Sequence, residues 1–200
     1  MKTADSAIIL AGGRSSRMGY DKDQLMIDGV RLVDVLSASL QSLFGQVIVV
    51  SNSPVFAPPE GVLLVRDELP GRGPLGGIHA GLKASGSQYC FVTACDMPNL
   101  NTAYVEFLRT SLLASTDHIT VLATRYQGHM EPFTAFYSRD LVPAIEDYCR
   151  GGGRGLNAFL QSRGVALIEE SIARRFSPDW SMFTNLNTPE QVREYLVLRS

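Results

Sequence analysis

The sequence predicts an α/β protein: a mostly parallel mixed sheet with helices on both faces. Three observations carry this. Strand-like apolar runs alternate with stretches of helical periodicity along most of the chain, the pattern that crossover helices impose on parallel strands. Val47–Val50 and Val62–Val65 are continuous apolar runs, as in strands buried on both faces. Ile119–Thr124 and Phe133–Tyr137 follow one another with no helix between them, which calls for an antiparallel member.

In order, Ala7–Ala11 reads as the first strand, stopped by Gly12-Gly13. Leu32–Phe44 carries a helical stripe of Leu32, Val35, Leu36, Leu40 and Leu43. The strands Val47–Val50 and Val62–Val65 come next, then a helix over Leu75–Ala84 and a strand over Tyr89–Ala94. Asn101 is placed to cap a helix reaching about Leu113. After the strands Ile119–Thr124 and Phe133–Tyr137, helices are expected over Leu141–Cys149 and Leu156–Leu160, with a short strand over Val165–Ile168 between them and the C-terminal region. Thr188-Pro189-Glu190 sets a cap, a proline at the first helical position and an acid in the first turn, opening a last helix.

The 200 residues suit one well-filled domain, expected over 1–200. A net charge of −2 argues against a general nucleic-acid binder. No run approaches a membrane span, and no signal-peptide core precedes Gly12. The three cysteines, Cys90, Cys95 and Cys149, are too few and too scattered for a disulfide framework, and with His79, His118 and His129 they make no zinc-ligand spacing. A reduced, cytoplasmic protein that binds neither nucleic acid nor membrane is expected.

On such a sheet, ligands sit at the carboxyl ends of the strands. There the chain carries LAGGRSSRMGYDK, Leu10 to Lys22. Gly12 and Gly13 let backbone N–H groups approach an anion, and Arg14, Arg17 and Lys22 add positive charge. No Gly-Lys-Ser/Thr follows, so it is not a Walker A loop. Asp96, after the strand Tyr89–Ala94, is placed to hold Mg²⁺ with one carboxylate plus substrate phosphates, and Asp67, after Val62–Val65, to reach a base or ribose. The three features are expected to converge on one edge. Gly71-Arg72-Gly73-Pro74-Leu75-Gly76 formally matches a dinucleotide fingerprint, the basis of an oxidoreductase alternative. Asp67-Glu68-Leu69-Pro70 separate it from the preceding strand, however, so closure over a nucleotide is the preferred reading. Further candidates are Glu131-Pro132 at a strand start, Arg154 in a glycine-rich connector, and Asn185 and Asn187 on one side of an extended run.

With LAGGRSSRMGYDK, GPLGGI, CDMP, the Glu131-Pro132 strand start and the terminal N-x-N-T-P-E, the chain resembles the MobA-like nucleotidyltransferases, the molybdenum cofactor guanylyltransferase family, from about Ile8 to Leu196. The resemblance implies a Rossmann-like, three-layer nucleotidyltransferase fold. It implies transfer of GMP from GTP to the terminal phosphate of Mo-molybdopterin, with release of pyrophosphate and with Mg²⁺ as cofactor. Protein partners would be molybdopterin-handling proteins or molybdoenzyme chaperones. Leu10, Ala11, Gly12 and Gly13 would contact the nucleotide through backbone, and Arg17 and Lys22 would neutralise phosphate. Ser51 and Asn52 fall at a nucleotide-contacting position, Asp67 would recognise the nucleoside and Asp96 would hold the metal. Glu131, Arg154, Asn185 and Asn187 would face the acceptor, with Arg125, Arg174 and Arg175 as further candidates. Pro74-Leu75-Gly76-Gly77 resembles the guanine-specific branch; a cytidylyltransferase or a sugar-phosphate nucleotidyltransferase is the alternative. Asp23-Gln24-Leu25 departs from the family pattern, and Asp23 is expected to point to solvent. The nucleophile would be an already ionised phosphate oxygen, so no general base is required.

Overall fold

The computed structural model describes residues 3–12 and 22–199. Its centre is a seven-stranded sheet. β1 (Ser6–Leu10) is followed by a small hairpin of β2 (Met26–Ile27) and β3 (Val30–Arg31), then α1 (Leu32–Gln41), β4 (Gln46–Val50) and β5 (Leu63–Val65). Next come α2 (Pro74–Ala84), β6 (Tyr89–Ala94), α3 (Thr102–Ala114), β7 (Val121–Tyr126) and β8 (His129–Ser138). The chain ends with α4 (Leu141–Arg150), α5 (Leu156–Gln161), β9 (Val165–Ile168), α6 (Glu170–Ala173) and α7 (Pro189–Arg199). The sheet order is β5-β4-β1-β6-β8-β7-β9, with the hairpin outside it. β8 runs antiparallel to both its neighbours, and every other pairing in the sheet is parallel.

The strand period of two divides the apolar residues between two cores. Ala7, Ile9, Val47, Val49 and Phe91 pack against α1, α3 and the segment Trp180–Leu186. Ile8, Leu10, Ile48, Val50, Cys90 and Val92 face α2, α4 and α5. Sandwiching the sheet this way makes the three layers. α2 lies unusually close to β1 because Gly77 and Gly81, one helical turn apart, face it. A Cβ at Gly81 would stand 2.7 Å from Ile8 Cδ1, and one at Gly77 would stand 2.9 Å from Leu10 Cδ2. The Asn101 side chain accepts from Tyr104 N at 2.9 Å, the cap that its position predicts.

Three local features differ from expectation. α1 ends at Gln41, three residues early, and Leu43 and Phe44 close a turn on the Leu40 carbonyl instead. The hairpin β2–β3 turns on Asp28-Gly29, both at positive φ (50° and 79°), the type I′ geometry that Asp-Gly favours. β8 begins at His129 rather than Phe133, because a second positive-φ turn at Gln127-Gly128 pairs Tyr126 with His129. Its register against β7 then shifts: Leu122 pairs with Phe136 but Thr124 with Glu131. Within that irregularity Pro132 has no N–H to donate, Thr134 sits at φ 61°, and the Tyr137 hydroxyl donates to the Pro132 carbonyl at 2.7 Å.

Candidate active site

The parallel strands release their carboxyl ends at one edge, and backbone bonds prolong the ladder beyond them. Ala11 N donates to Val50 O at 2.9 Å, Cys95 N to Leu10 O at 3.1 Å, and Ser51 N to Val65 O at 3.1 Å. Leu10–Gly12, Ser51–Asn52, Asp67 and Asp96 therefore emerge side by side at this edge, although they lie far apart in the chain.

On one side of this edge is a cleft of about 240 Å³. Leu10, Gly12, Ser51, Asn52 and Asp67 form one wall and Gly71, Gly73, Pro74 and Gly77 the other. Asn52 Oδ1 accepts from Asp67 N at 2.9 Å, and Asp67 Oδ1 accepts from Leu69 N at 2.7 Å, which fixes the carboxylate in a tight turn. Gly76 makes room for it: a Cβ there would stand 2.5 Å from Asp67 Oδ1. Gly73 is the N-cap and Pro74 the first residue of α2, so the positive end of the helix dipole adjoins the cleft. The glycine-rich segment Gly71–Gly76 thus opens a helix beside the cleft, eight residues after β5 ends.

On the other side is a charged cluster. The Lys22 ammonium pairs with Asp96 Oδ2 and donates to Asn187 Oδ1 at 3.1 Å. Lys22 keeps 27% of its side chain exposed against 3% for Asp96, so the cation is presented to solvent over a buried anion. Asp96 Oδ1 is buried and has no hydrogen-bond partner among the described residues. Leu186 N donates to the Asp96 carbonyl at 2.9 Å, which brings the C-terminal run alongside. Burial pushes the Glu131 carboxyl up to about 7; the Phe133 N–H, donating at 3.0 Å, opposes the rise, and the nearby Asp96 charge adds to it. Burial also pushes the Cys95 thiol far above its ordinary range, with the Asp96 charge adding to the rise, so Cys95 is packing rather than chemistry.

Not every candidate joins this arrangement. Gly13 and Arg17, with Arg14, lie outside the described residues. Asp23 does not point to solvent: it is 1% exposed, and its carboxylate accepts from Ser51 Oγ at 2.9 Å and Gln24 Nε2 at 3.1 Å. Ser51 therefore lines the cleft with its hydroxyl proton already committed to Asp23. Asn187 reaches Lys22, whereas Asn185 lines a separate recess with Thr184, Gln191 and Glu194. Arg154 is exposed on the far side of the cleft rim. Its carbonyl accepts from the Tyr148 hydroxyl at 3.0 Å, and its loop is tied to Arg72 through the Gly153 carbonyl. Arg125 pairs with Glu169, and Arg174 with Glu170 while lying over the Trp180 ring. Arg175 is exposed. Sequence reasoning did not identify the Ser51–Asp23 bond or the seating of Asp67 against Gly76. Only spatial proximity reveals the first, while the Gly76-Gly77 pair signalled that something approaches α2 closely. Among the described residues no three His, Cys, Asp or Glu side chains gather as a metal cluster.

The chain has known relatives. The profile of the MobA-like NTP transferase domain matches residues 7–169. A molybdenum cofactor guanylyltransferase from Syntrophotalea carbinolica is 46% identical over 190 residues, covering 95% of this chain and 90% of that protein. A probable molybdenum cofactor guanylyltransferase from Peptoclostridium acidaminophilum is 43% identical over 197 residues, covering 97% of this chain and 89% of its own. The fold matches the crystal structure of molybdopterin-guanine dinucleotide biosynthesis protein A from Archaeoglobus fulgidus with a TM-score of 0.81 at 24% identity, over 97% of this chain and 98% of that one. The chain belongs to the MobA-like NTP transferase family and is a nucleotidyltransferase of the molybdenum cofactor guanylyltransferase type.

Proposed function

We propose that this chain, acting as one nucleotidyltransferase domain over residues 1–200, transfers GMP from GTP to the terminal phosphate of Mo-molybdopterin and releases pyrophosphate. The observation that carries the reading is the Lys22 ammonium held between Asp96 and Asn187 at the same carboxyl edge as the cleft. The names of the relatives, molybdenum cofactor guanylyltransferases, support guanylyl transfer as the reaction.

The barrier to this reaction is electrostatic, because one polyanion attacks another. Catalysis then depends on positioning and countercharge. The backbone of Leu10, Ala11, Gly12 and Gly13 cradles the triphosphate, and Arg17 and Lys22 neutralise it. Asn52 holds the turn of Asp67, whose carboxylate accepts from donors on the base or ribose. Ser51 contributes the cleft wall. Asp96 holds Lys22 through one oxygen. Its other oxygen, buried and without a partner among the described residues, fits a divalent cation that takes one protein carboxylate and completes its shell with phosphates. When bound there, Mg²⁺ would withdraw charge from the phosphates and the departing pyrophosphate. Asn187 and Glu131 border the acceptor side, with Asn185 and Arg154 further out. No described helix is long and apolar enough to cross a membrane, and a cytoplasmic location with cofactor-handling protein partners goes with the reading.

The test is transfer of label from α-labelled GTP to molybdopterin in the presence of Mg²⁺, with CTP and a sugar phosphate as alternative donor and acceptor. Labelled guanine dinucleotide is the expected product. Transfer from CTP at equal or greater efficiency, or to the sugar phosphate alone, overturns the assignment.

A further inference from the structure

We infer that Asp23 is a positioning residue that acts through Lys22, its buried carboxylate clamping the backbone at Lys22 to the end of β4 by way of Ser51; this rests on the phosphate role proposed for Lys22. Asp23 and Ser51 are each 1% exposed, and their side chains meet at 2.9 Å. Ser51 is a rigid anchor: its N–H is bonded to Val65 O at 3.1 Å, and its hydroxyl also accepts from Ser53 N at 3.2 Å. Lys22, Asp23 and Gln24 form a single 3-10 turn, closed by Leu25 N donating to Lys22 O at 3.2 Å. With three residues per such turn, fixing the direction of the Asp23 side chain also fixes that of Lys22. Leu25 is buried in turn, and its carbonyl accepts from Leu32 N at 2.8 Å, so the turn is also tied to the start of α1. A carboxylate below the surface is costly unless it is hydrogen-bonded. Ser51 and Gln24 supply those bonds. The result is that a flexible lysine stem leaves a fixed point and reaches Asp96 and Asn187 on the opposite side of the edge.

Two measurements test this. The chain has three lysines, Lys2, Lys22 and Lys83. Acetylation of the folded protein with limiting acetic anhydride, read by peptide mass spectrometry, reports the environment of Lys22, with Lys83 as internal standard. In Asp23→Ala, Lys22 is expected to react about threefold faster or more, within the range of coupling in one hydrogen-bond network. Ser51→Ala moves it the same way, and Asp23→Asn, which keeps an acceptor for Ser51, stays near wild type. The second measurement is GTP binding by calorimetry. Asp23→Ala weakens it on the order of tenfold, one positioning contact's worth, but adds nothing in a Lys22→Ala background. An unchanged Lys22 rate in Asp23→Ala, a rate in Asp23→Asn equal to that in Asp23→Ala, or a full additive loss in the Lys22→Ala background overturns the inference. Should wild-type protein bind no GTP, the functional reading falls, while the Lys22 reactivity still decides the clamp. Thermal melts of each variant, with Asp23→Asn and Ser51→Ala as milder changes, separate unfolding from loss of the clamp.

Discussion

The two halves of the carboxyl edge are built on different principles. In the cleft half, the turn that seats Asp67 is local. Asn52, Asp67 and Leu69 are joined by backbone-to-side-chain bonds spanning 15 and 2 residues, and the wall opposite is the start of a helix. The charged half is assembled from distant pieces: Lys22 is 74 residues from Asp96 and 165 from Asn187. A local turn can lose one contact and keep its shape. A network that holds one ammonium between two partners loses its geometry with any member. The expectation is that the cleft decides which nucleotide binds, and the charged half decides whether the bound nucleotide reacts.

The largest effect should therefore come from the charged half. Asp96→Ala is expected to lower kcat on the order of 10²–10³, as removal of a preorganised charge does. The fold should survive, since the change also removes a buried oxygen that has no partner among the described residues. Steady-state rates and a thermal melt check both parts, and substantial remaining turnover would break the contrast. Gly76→Ala probes the cleft half. Its new methyl displaces the Asp67 carboxylate, so KM for GTP should rise roughly tenfold, about 1.4 kcal/mol, with kcat nearly unchanged. The gain in helix propensity, up to about 1 kcal/mol, is offset by loss of the Leu69–Asp67 bond, about 1 kcal/mol, so stability should change little. An unaltered KM would remove Asp67 from nucleotide recognition. Asn187→Ala takes one acceptor from Lys22, and kcat/KM should fall roughly three- to tenfold, the net value of one hydrogen bond. The smallest effect concerns pH. Because burial raises the Glu131 carboxyl from its ordinary 4.5 to about 7, the folded state holds a proton that the unfolded chain has released. Stability should then decline as pH climbs from 4.5 through 7 and level off above it. Glu131→Gln should flatten that slope in melts across pH 4 to 8; an unchanged slope would place Glu131 in solvent.

The same contrast explains what was legible in the sequence. The convergence of Gly12, Asp67 and Asp96 could be anticipated because each directly follows a strand, and strand order carries it to one edge. The seven strands and the capped helices were legible from periodicity, from Asn101 and from Pro189. The pairing of Lys22 with Asp96 and Asn187 was not, since nothing local ties residue 22 to residue 187. Asp23 shows the limit most plainly. An acid between a lysine and a glutamine reads as surface, and the Ser51 hydroxyl that helps make its burial tolerable lies 28 residues on. The β2–β3 hairpin had its Asp-Gly signal, but two-residue strands leave no periodicity to detect. The early start of β8 was hidden by Pro132, which marks a strand beginning by its chemistry yet here lies inside an irregular ladder.

Arg72 carries one more consequence. Its guanidinium donates to the carbonyls of Cys149 and Gly153, both at 2.9 Å, capping the negative end of α4 from within the rim of the cleft. The rim and the end of α4 are thereby stapled into one mechanical unit. Opening the cleft would swing both segments together, and amide exchange at Gly151–Gly153, whose N–H groups bond back into α4, would report nucleotide entry from outside the pocket.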